Sequence, residues 1–489
     1  MEKTKSQKVL SWTTKDIAKT VAVYLINAVV ITLLFFGAVE INLLQGIIVG
    51  GINTVTYLHF AVLLGLILAI MAFYFAFEER DFLHSAKNSE MIFLIIEISL
   101  IVCSLLGTYV NIYLRPLAFA AILTLFVSNR RTAQFINVIF CLLVFMFDSF
   151  SGEHFDFDNY PVLIMGFSSG IIGIFCLDKV HSRLKLLARS LIIAVPTLIC
   201  ITMSVVEKEH IVNVSEEVIF PLICGVFSGP VAAIILMITL PIFEAIFRKI
   251  SYFKYSELTD HKATLIKRMI KTAPGTFNHA IVVSNIAEAC AAAIGEDSLL
   301  ARTCAYYHDI GKLRRPEFFK ENQADGHNPH DDLTPELSVN IIKSHAQDGK
   351  AYAEKHRLPK EIADVCVEHH GTLPILYFYD KAKKFTDGEV DIMQFCYPGP
   401  KPTSKISAII MIADGCEAAA RSLQDRSRDN VTAVVRKIVN ERMALGQFED
   451  CEITLKELNI IIHTVVNNLT GIYHSRIEYP KVNLDGVEL

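Results

Sequence analysis

The chain has 489 residues, 52% of them hydrophobic, and a mean hydropathy of +0.40, too apolar for an ordinary soluble protein, so membrane spans must account for much of it. A formal net charge of −5 with a pI near 6.4 argues against bulk nucleic-acid binding. The eleven cysteines include no CxxC pair, which fits reduced, packed thiols and excludes a disulfide framework.

Residues 1–19 read as a cytoplasmic N-terminal segment. Lys3, Lys5, Lys8, Lys15 and Lys19 precede an apolar stretch without a small-residue cleavage site, the pattern of a retained anchor. From 20 to 247, long apolar runs alternate with short polar loops. A span needs about 20 apolar residues to cross the hydrocarbon core. The runs predict about eight, near 20–39, 54–77, 91–110, 116–127, 133–148, 160–177, 190–204 and 217–247. The fourth is short enough to be a shifted or re-entrant segment.

Loop charge gives the orientation. With eight spans, the N-terminal side receives Arg80, Lys87, Arg130, Arg131, Lys179, Arg183, Lys185, Arg189, Arg248 and Lys249. The opposite side receives Glu153, Asp156, Asp158, Glu207, Glu209, Glu216 and Glu217, with Arg115 and Lys208 its only bases. This asymmetry is the positive-inside pattern and predicts cytoplasmic termini in a cell-membrane protein embedded in the lipid bilayer. Glu97, inside the third span, is read as a protonated or hydrogen-bonded packing residue, because no basic partner lies near it in that span.

Beyond Arg248 the composition becomes that of a mixed soluble sequence. Residues 248–275 form a linker in which 256–273 has helical periodicity and offers a face for homodimer pairing. Pro274 and Gly275 are expected to interrupt it. Residues 276–489 read as a cytoplasmic all-α domain, with helices near 277–294, 298–309, 335–347, 349–357, 359–370, 404–424, 429–442 and 454–473. Thr334 before Pro335 is a predicted N-cap, and Gly311 is placed to end the helix carrying His308. The fold class is therefore all-α throughout: a multi-span transmembrane helical bundle followed by a cytoplasmic helical domain.

Histidine is unevenly distributed in the second half. His279, His308, His330, His345, His369 and His370 form a spaced series, Asp309 follows His308, and Asp414 lies in the apolar run IIMIADGCEAAARSL. Histidine and carboxylate donors suit borderline divalent metals such as iron, manganese or zinc. Several helices projecting such donors into one core can build a two-metal site. An unpaired charge on Asp414 in an apolar helix would cost several kcal/mol, which a cation would offset. His261, His327, His356, His463 and His474 are left out as surface or packing residues.

The stretch AYYHDIGK, Ala305 to Lys312, resembles the HD signature of metal-dependent phosphohydrolases. The blocks APGTFNHA, PEFFKENQ, NPHDDLTPELS, IIKSHAQDG, EHHGT and YPGPKP resemble, in that order, the membrane-anchored HD phosphodiesterases of the PgpH type. The resemblance is dense over about 256–475 and rests on span order alone before that. It implies hydrolysis of a cyclic dinucleotide, cyclic di-AMP, to linear 5′-pApA. It also implies two divalent cations, Mn2+ or Fe2+. One would be held by His279, His308, Asp309 and Asp414, the other by His345, His369 and His370, with Asp309 shared. Two such ions acidify water and neutralise phosphoryl charge. The chain departs from the family pattern in the short 41–53 stretch between its first two spans, where a large extracytoplasmic domain usually lies, and in Asn278, where a second histidine is common.

Three residues are candidate substrate contacts. Lys312 is a catalytic phosphate-contacting candidate. His330, before a helix start, could orient a ligand, contact substrate or only cap the loop. Tyr397, opening YPGPKP, could stack on a base. Alternatives are an HD hydrolase for another nucleotide, a catalytically silent nucleotide receptor and a transporter. The paired histidines lack a following acidic residue and a GYP element, which weakens the cyclic di-GMP branch. Gly311 and Lys312 stand where alarmone hydrolases carry an acidic pair. No pair of broken helices supports a transporter.

Overall fold

The computed structural model describes residues 14–45, 53–79, 85–151, 160–178, 180, 182–208, 216–247, 249–323, 327–385, 389–472, 483–484 and 487–488. Lys3, Lys5, Lys8, Arg80, Glu153, Asp156, Asp158, Lys179, Glu209, Arg248 and His474, and most of the 41–53 stretch, lie outside them. The chain divides into two units, Met1–Phe253 and Lys254–Leu489.

In the first unit the helices are α1 (Thr14–Leu44), α2 (Thr54–Phe77), α3 (Ala86–Tyr109), α4 (Phe119–Val127), α5 (Arg130–Phe150), α6 (Tyr160–Leu177), α7 (Arg183–Ile193), α8 (Val195–Lys208) and α9 (Glu216–Phe247). They are apolar around their circumference. Phe35, Phe60 and Phe147 meet inside, while Leu25, Leu33, Leu58, Leu66 and Phe73 are exposed. A helix apolar on all sides is either enclosed in a core or set in a membrane, and the exposed apolar side chains here point to the membrane. Among the described residues, seven stretches of this unit reach the length and apolarity of a span, with α7 and α8 together making one. An eighth such helix, Pro274–Ile294, lies in the second unit.

The short fourth element differs from the rest. A helical turn at Ile112–Leu114 precedes α4, whose nine residues rise about 13 Å, less than half of the roughly 30 Å hydrocarbon core. Its side chains from Phe119 to Leu123 are fully buried, enclosed by α5, α6 and α9. Arg115, counted with the outer-side bases, is drawn inward: its Nη1 lies 2.6 Å from Asp148 Oδ2. Gly107 makes the room, since a Cβ there would stand 2.1 Å from Arg115 Nε. Glu97 is buried, with Oε1 lacking a hydrogen-bond partner.

The second unit comprises α10 (Tyr252–Leu258, beginning in the first unit), α11 (Thr264–Thr272), α12 (Pro274–Ile294), α13 (Ser298–Tyr307), α14 (Pro335–Lys355), α15 (Lys360–Glu368), α16 (Leu376–Phe385), α17 (Lys405–Ser422), α18 (Arg428–Ala444) and α19 (Leu455–Ile472). Short 3-10 turns lie at Ile310–Arg314, Pro316–Phe318, Lys320–Asn322 and Pro329–Asp332, and a two-residue antiparallel ladder pairs Asn483–Leu484 with Val487–Glu488. The core is organised by α12, whose Val283, Ile286, Ala287 and Cys290 are fully buried and which packs on α13, α17 and α19.

Several local expectations change. The linker helix is broken between Leu258 and Thr264. Pro274 does interrupt the linker's helical run, as expected: α11 stops at Thr272, and Pro274 opens α12, where a first-turn proline loses no hydrogen bond. The two helices predicted over 335–357 are one, capped by Thr334 Oγ1 accepting from Leu337 N–H. Helix α16 was not anticipated: Phe378 and Ala382, four residues apart, face inward, but the exposed Leu376, Tyr377 and Phe385 blur that periodicity in the sequence. Gly311 does not cap α13, which stops at Tyr307. It sits inside the turn Ile310–Arg314, where a Cβ would stand 1.9 Å from the carbonyl oxygen of His345.

Candidate metal centre

Five segments of the second unit carry the predicted ligands. His279 lies in the second turn of α12. His308 and Asp309 follow α13, His345 is central in α14, His369 and His370 follow α15, and Asp414 lies in α17. Two glycines permit the approach. Gly311 lets the HD turn rest on the α14 backbone. Gly371, in left-handed conformation at φ 51°, turns the chain after the paired histidines where a Cβ would meet Gln447 Oε1 at 2.2 Å. Gln447 also ties this turn, accepting from Thr372 N–H and donating to Thr372 Oγ1, each at 2.9 Å.

The donors form two groups. One donor atom from each of Asp309, His345, His369 and His370 lies within 4.8 Å of the others, and so do donors from His279, His308 and Asp414. Asp309 addresses both. Its Oδ1 is 3.3 Å from His345 Nε2 and 3.6 Å from His369 Nε2, while its Oδ2 is 3.3 Å from His308 Nε2 and 3.8 Å from His279 Nε2. His370 Nδ1 stands 3.9 Å from Asp414 Oδ2.

Hydrogen bonding fixes which ring nitrogen is free. The Nδ1–H groups of His308, His345 and His369 donate to the carbonyls of Ala305, Ile342 and Val365, at 2.7, 2.6 and 3.0 Å. Each Nε2 is then a lone pair. The Nε2 atoms of His345 and His369 face one another at 3.4 Å, and His308 Nε2 and Asp309 Oδ1 are buried without a hydrogen-bond partner. Buried acceptors turned on one another are unfavourable unless a cation lies among them. The residues therefore fit bound divalent metal, the property of HD domains generally.

The charges agree. Burial alone would raise the Asp309 carboxyl, but the Lys312 ammonium and His308 outweigh it and hold it well below the usual carboxylate range. Burial would lower His279, yet its hydrogen bonds to Asp414 and Glu417 raise it to about 10. Burial, then the neighbouring His369, pushes His370 well below the usual histidine range. The pocket thus favours positive charge on the His279 side and a neutral imidazole at His370.

The three substrate candidates fare differently. Lys312 is not solvated: its Nζ lies 2.7 Å from Asp309 Oδ2 and 2.8 Å from Glu321 Oε1. Tyr397 stacks on His370, with centroids 4.3 Å apart and planes at 21°, so one ring face is already covered. His330 makes its contacts elsewhere. It is buried edge-on between Phe318 and Phe378, and its Nε2–H donates to the Phe318 carbonyl at 3.0 Å.

Sequence reasoning missed four carboxylate and guanidinium partners. Glu417 Oε2 accepts from His279 Nδ1 at 2.5 Å, and Arg421 holds the same carboxylate. Glu321 receives Lys312. Glu368, just before the paired histidines, accepts from Thr403 N–H and Oγ1, tying the HH turn to the loop entering α17. The spacing of Asp414, Glu417 and Arg421, three and then four residues apart on one helix face, was the available signal.

Comparisons with known proteins agree with this architecture. Residues 54–251 match the family described as "7TM receptor with intracellular HD hydrolase", and residues 276–419 match the HD domain. The matched membrane region holds seven spans only if the short 112–127 segment is counted. The chain is 35% identical over 427 residues to the cyclic-di-AMP phosphodiesterase PgpH of Bacillus subtilis (strain 168), covering 86% of this chain and 59% of the relative. It is 34% identical to the PgpH of Listeria monocytogenes serotype 1/2a (strain 10403S), covering 85% and 58%. The chain thus spans about three-fifths of the length of these curated relatives. The crystal structure of the L. monocytogenes PgpH HD domain in complex with cyclic di-AMP is 44% identical, covering 44% of this chain and all of that one, with a TM-score of 0.43.

Proposed function

Since the chain is a multi-span membrane protein of the PgpH-like HD-domain family, we propose that it hydrolyses cyclic di-AMP to linear 5′-pApA at a two-ion centre on the cytoplasmic side. The observation that supports this best is the convergence of three histidine lone pairs on the two oxygens of Asp309. Such a site has no structural purpose that apolar residues would not serve better.

His279, His308, Asp309 and Asp414 would hold one divalent ion, Mn2+ or Fe2+, and His345, His369 and His370 the other, with Asp309 shared. When bound, the ions polarise phosphoryl oxygens and make water more acidic. The chain's own groups do the rest. The backbone carbonyls lock the rings in the tautomer that presents Nε2. Lys312, carried by the same turn as Asp309, would contact a non-bridging phosphate oxygen, with Glu321 holding it when no phosphate is present. Tyr397, fixed against His370, would form a wall for one purine.

The metal chemistry acts on phosphate and does not choose the base, so selectivity must come from groups around the purine. Cyclic di-AMP should be cut with a higher kcat/KM than cyclic di-GMP. Tyr397→Ala should raise KM by an amount on the order of 1–3 kcal/mol while metal content stays intact. Equal kcat/KM for the two dinucleotides would reject adenine, and failure to cut either with two ions bound would favour a silent receptor.

Cytoplasmic orientation rests on loop charge. A Glu153→Cys probe in intact cells should react with a membrane-impermeant reagent, and a Lys185→Cys probe should not. The reverse labelling would place the HD domain away from a cytosolic substrate.

A further inference from the structure

Among groups the proposed chemistry leaves unused, the buried Glu417 carboxylate is the most constrained. Its Oε2 accepts the Nδ1–H of His279 at 2.5 Å, and its Oε1 accepts from Arg421 Nε at 3.0 Å. Its side chain is 1% exposed, and burying a carboxylate this deeply is costly unless both oxygens are engaged. His279 differs from the other buried histidines here. His308, His345 and His369 donate to backbone carbonyls of their own segments, whereas His279, in α12, is held by a side chain from α17. Its Nε2 points at Asp414 Oδ1, 3.0 Å away on that same helix.

We propose that Glu417, clamped by Arg421, is a positioning residue that selects the Nε2-presenting tautomer of His279 and so sets the affinity of only one of the two ion positions, the one served by His279, His308 and Asp414. An anionic partner on the far ring nitrogen also makes the ligating nitrogen more basic. Two donors of the other position, His345 and His369, are oriented by carbonyls of their own segments, so they keep their geometry when Glu417 is changed. This inference rests on the two-ion reading.

The test uses the full chain in detergent or nanodiscs and Mn2+ alone, titrated by calorimetry with stoichiometry from elemental analysis. Wild type that binds fewer than two Mn2+ defeats the two-ion reading itself. With two bound, Glu417→Gln is informative because it is nearly isosteric: an amide accepts through one oxygen only, so either the His279 or the Arg421 contact is lost. One Mn2+ should weaken 10–100-fold, the range seen for such outer partners. The other should stay within about twofold, with an unchanged Tm for the ion-free protein. Glu417→Ala should weaken the same ion further, and Arg421→Lys should partly preserve its affinity relative to Arg421→Met. Equal weakening of both ions, or a Tm loss that accounts for the change, would reduce Glu417 to a structural residue. Unchanged affinities in Glu417→Gln would reject the proposal while leaving the phosphodiesterase reading intact.

Discussion

Asp309→Ala should abolish turnover, lowering it by more than about a thousandfold, and should lose more bound metal than any other single ligand change. The factor follows from the several kcal/mol of charge stabilisation that a bound ion contributes to phosphoryl transfer. Asp309 is placed to act on both ions because its two oxygens face different donor groups, Oδ1 toward His345 and His369 and Oδ2 toward His279 and His308. His345→Ala and His370→Ala should instead deplete mainly one ion. His356→Ala, an exposed change at the end of α14, should stay within about 0.5 kcal/mol of wild-type stability with full activity. Elemental analysis and turnover measured on the same preparations separate these cases. An Asp309→Ala protein with near-normal activity would end the two-ion hypothesis.

Gly311→Ala should be nearly as damaging although it removes no donor. The added Cβ would stand 1.9 Å from the His345 carbonyl oxygen and 2.5 Å from Gly349 N, both backbone atoms of α14 that no rotamer change relieves. The HD turn and α14 must move apart, which separates Asp309 from His345. Such overpacking costs about 1–3 kcal/mol in stability, and a displacement of about 1 Å at a reacting centre costs on the order of a hundredfold in rate. Gly295→Ala makes the matched control. Its φ of 80° makes alanine strained, by about 1 kcal/mol, but open space surrounds the added carbon and the position ends α12 away from the ligands. It should lower Tm and leave kcat alone. Wild-type turnover in Gly311→Ala would mean that the close approach is not what sets the site.

The sequence made the candidate ligands legible because their chemistry is local. An adjacent His308–Asp309, an adjacent His369–His370 and an aspartate in an apolar helix each stand out in the bare string. What made Gly311 matter was not legible, because the atom it must avoid belongs to a residue 34 positions later. Lys312 was recognised as a candidate, but its partner Glu321 lies in consecutive 3-10 turns that carry no periodicity. Glu417 was passed over because a glutamate in a helix ordinarily faces water. Only the interval to Asp414 and Arg421 hinted otherwise. In the membrane unit apolarity located the short fourth segment, but its enclosure by α5, α6 and α9 depends on neighbours that no single stretch reveals.

The carbonyls that hold His308, His345 and His369 lie three, three and four residues earlier in the chain, so each ring is braced by its own helical turn. Ligand geometry of this kind arrives with the helices. It contrasts with small metallodomains, whose coordination sphere is the fold and which collapse on chelation. On the proposed two-ion reading, assembly and loading would be separate events, so a cell starved of the right ion would hold a reserve of finished but idle protein able to turn on when the ion returns, with no new synthesis.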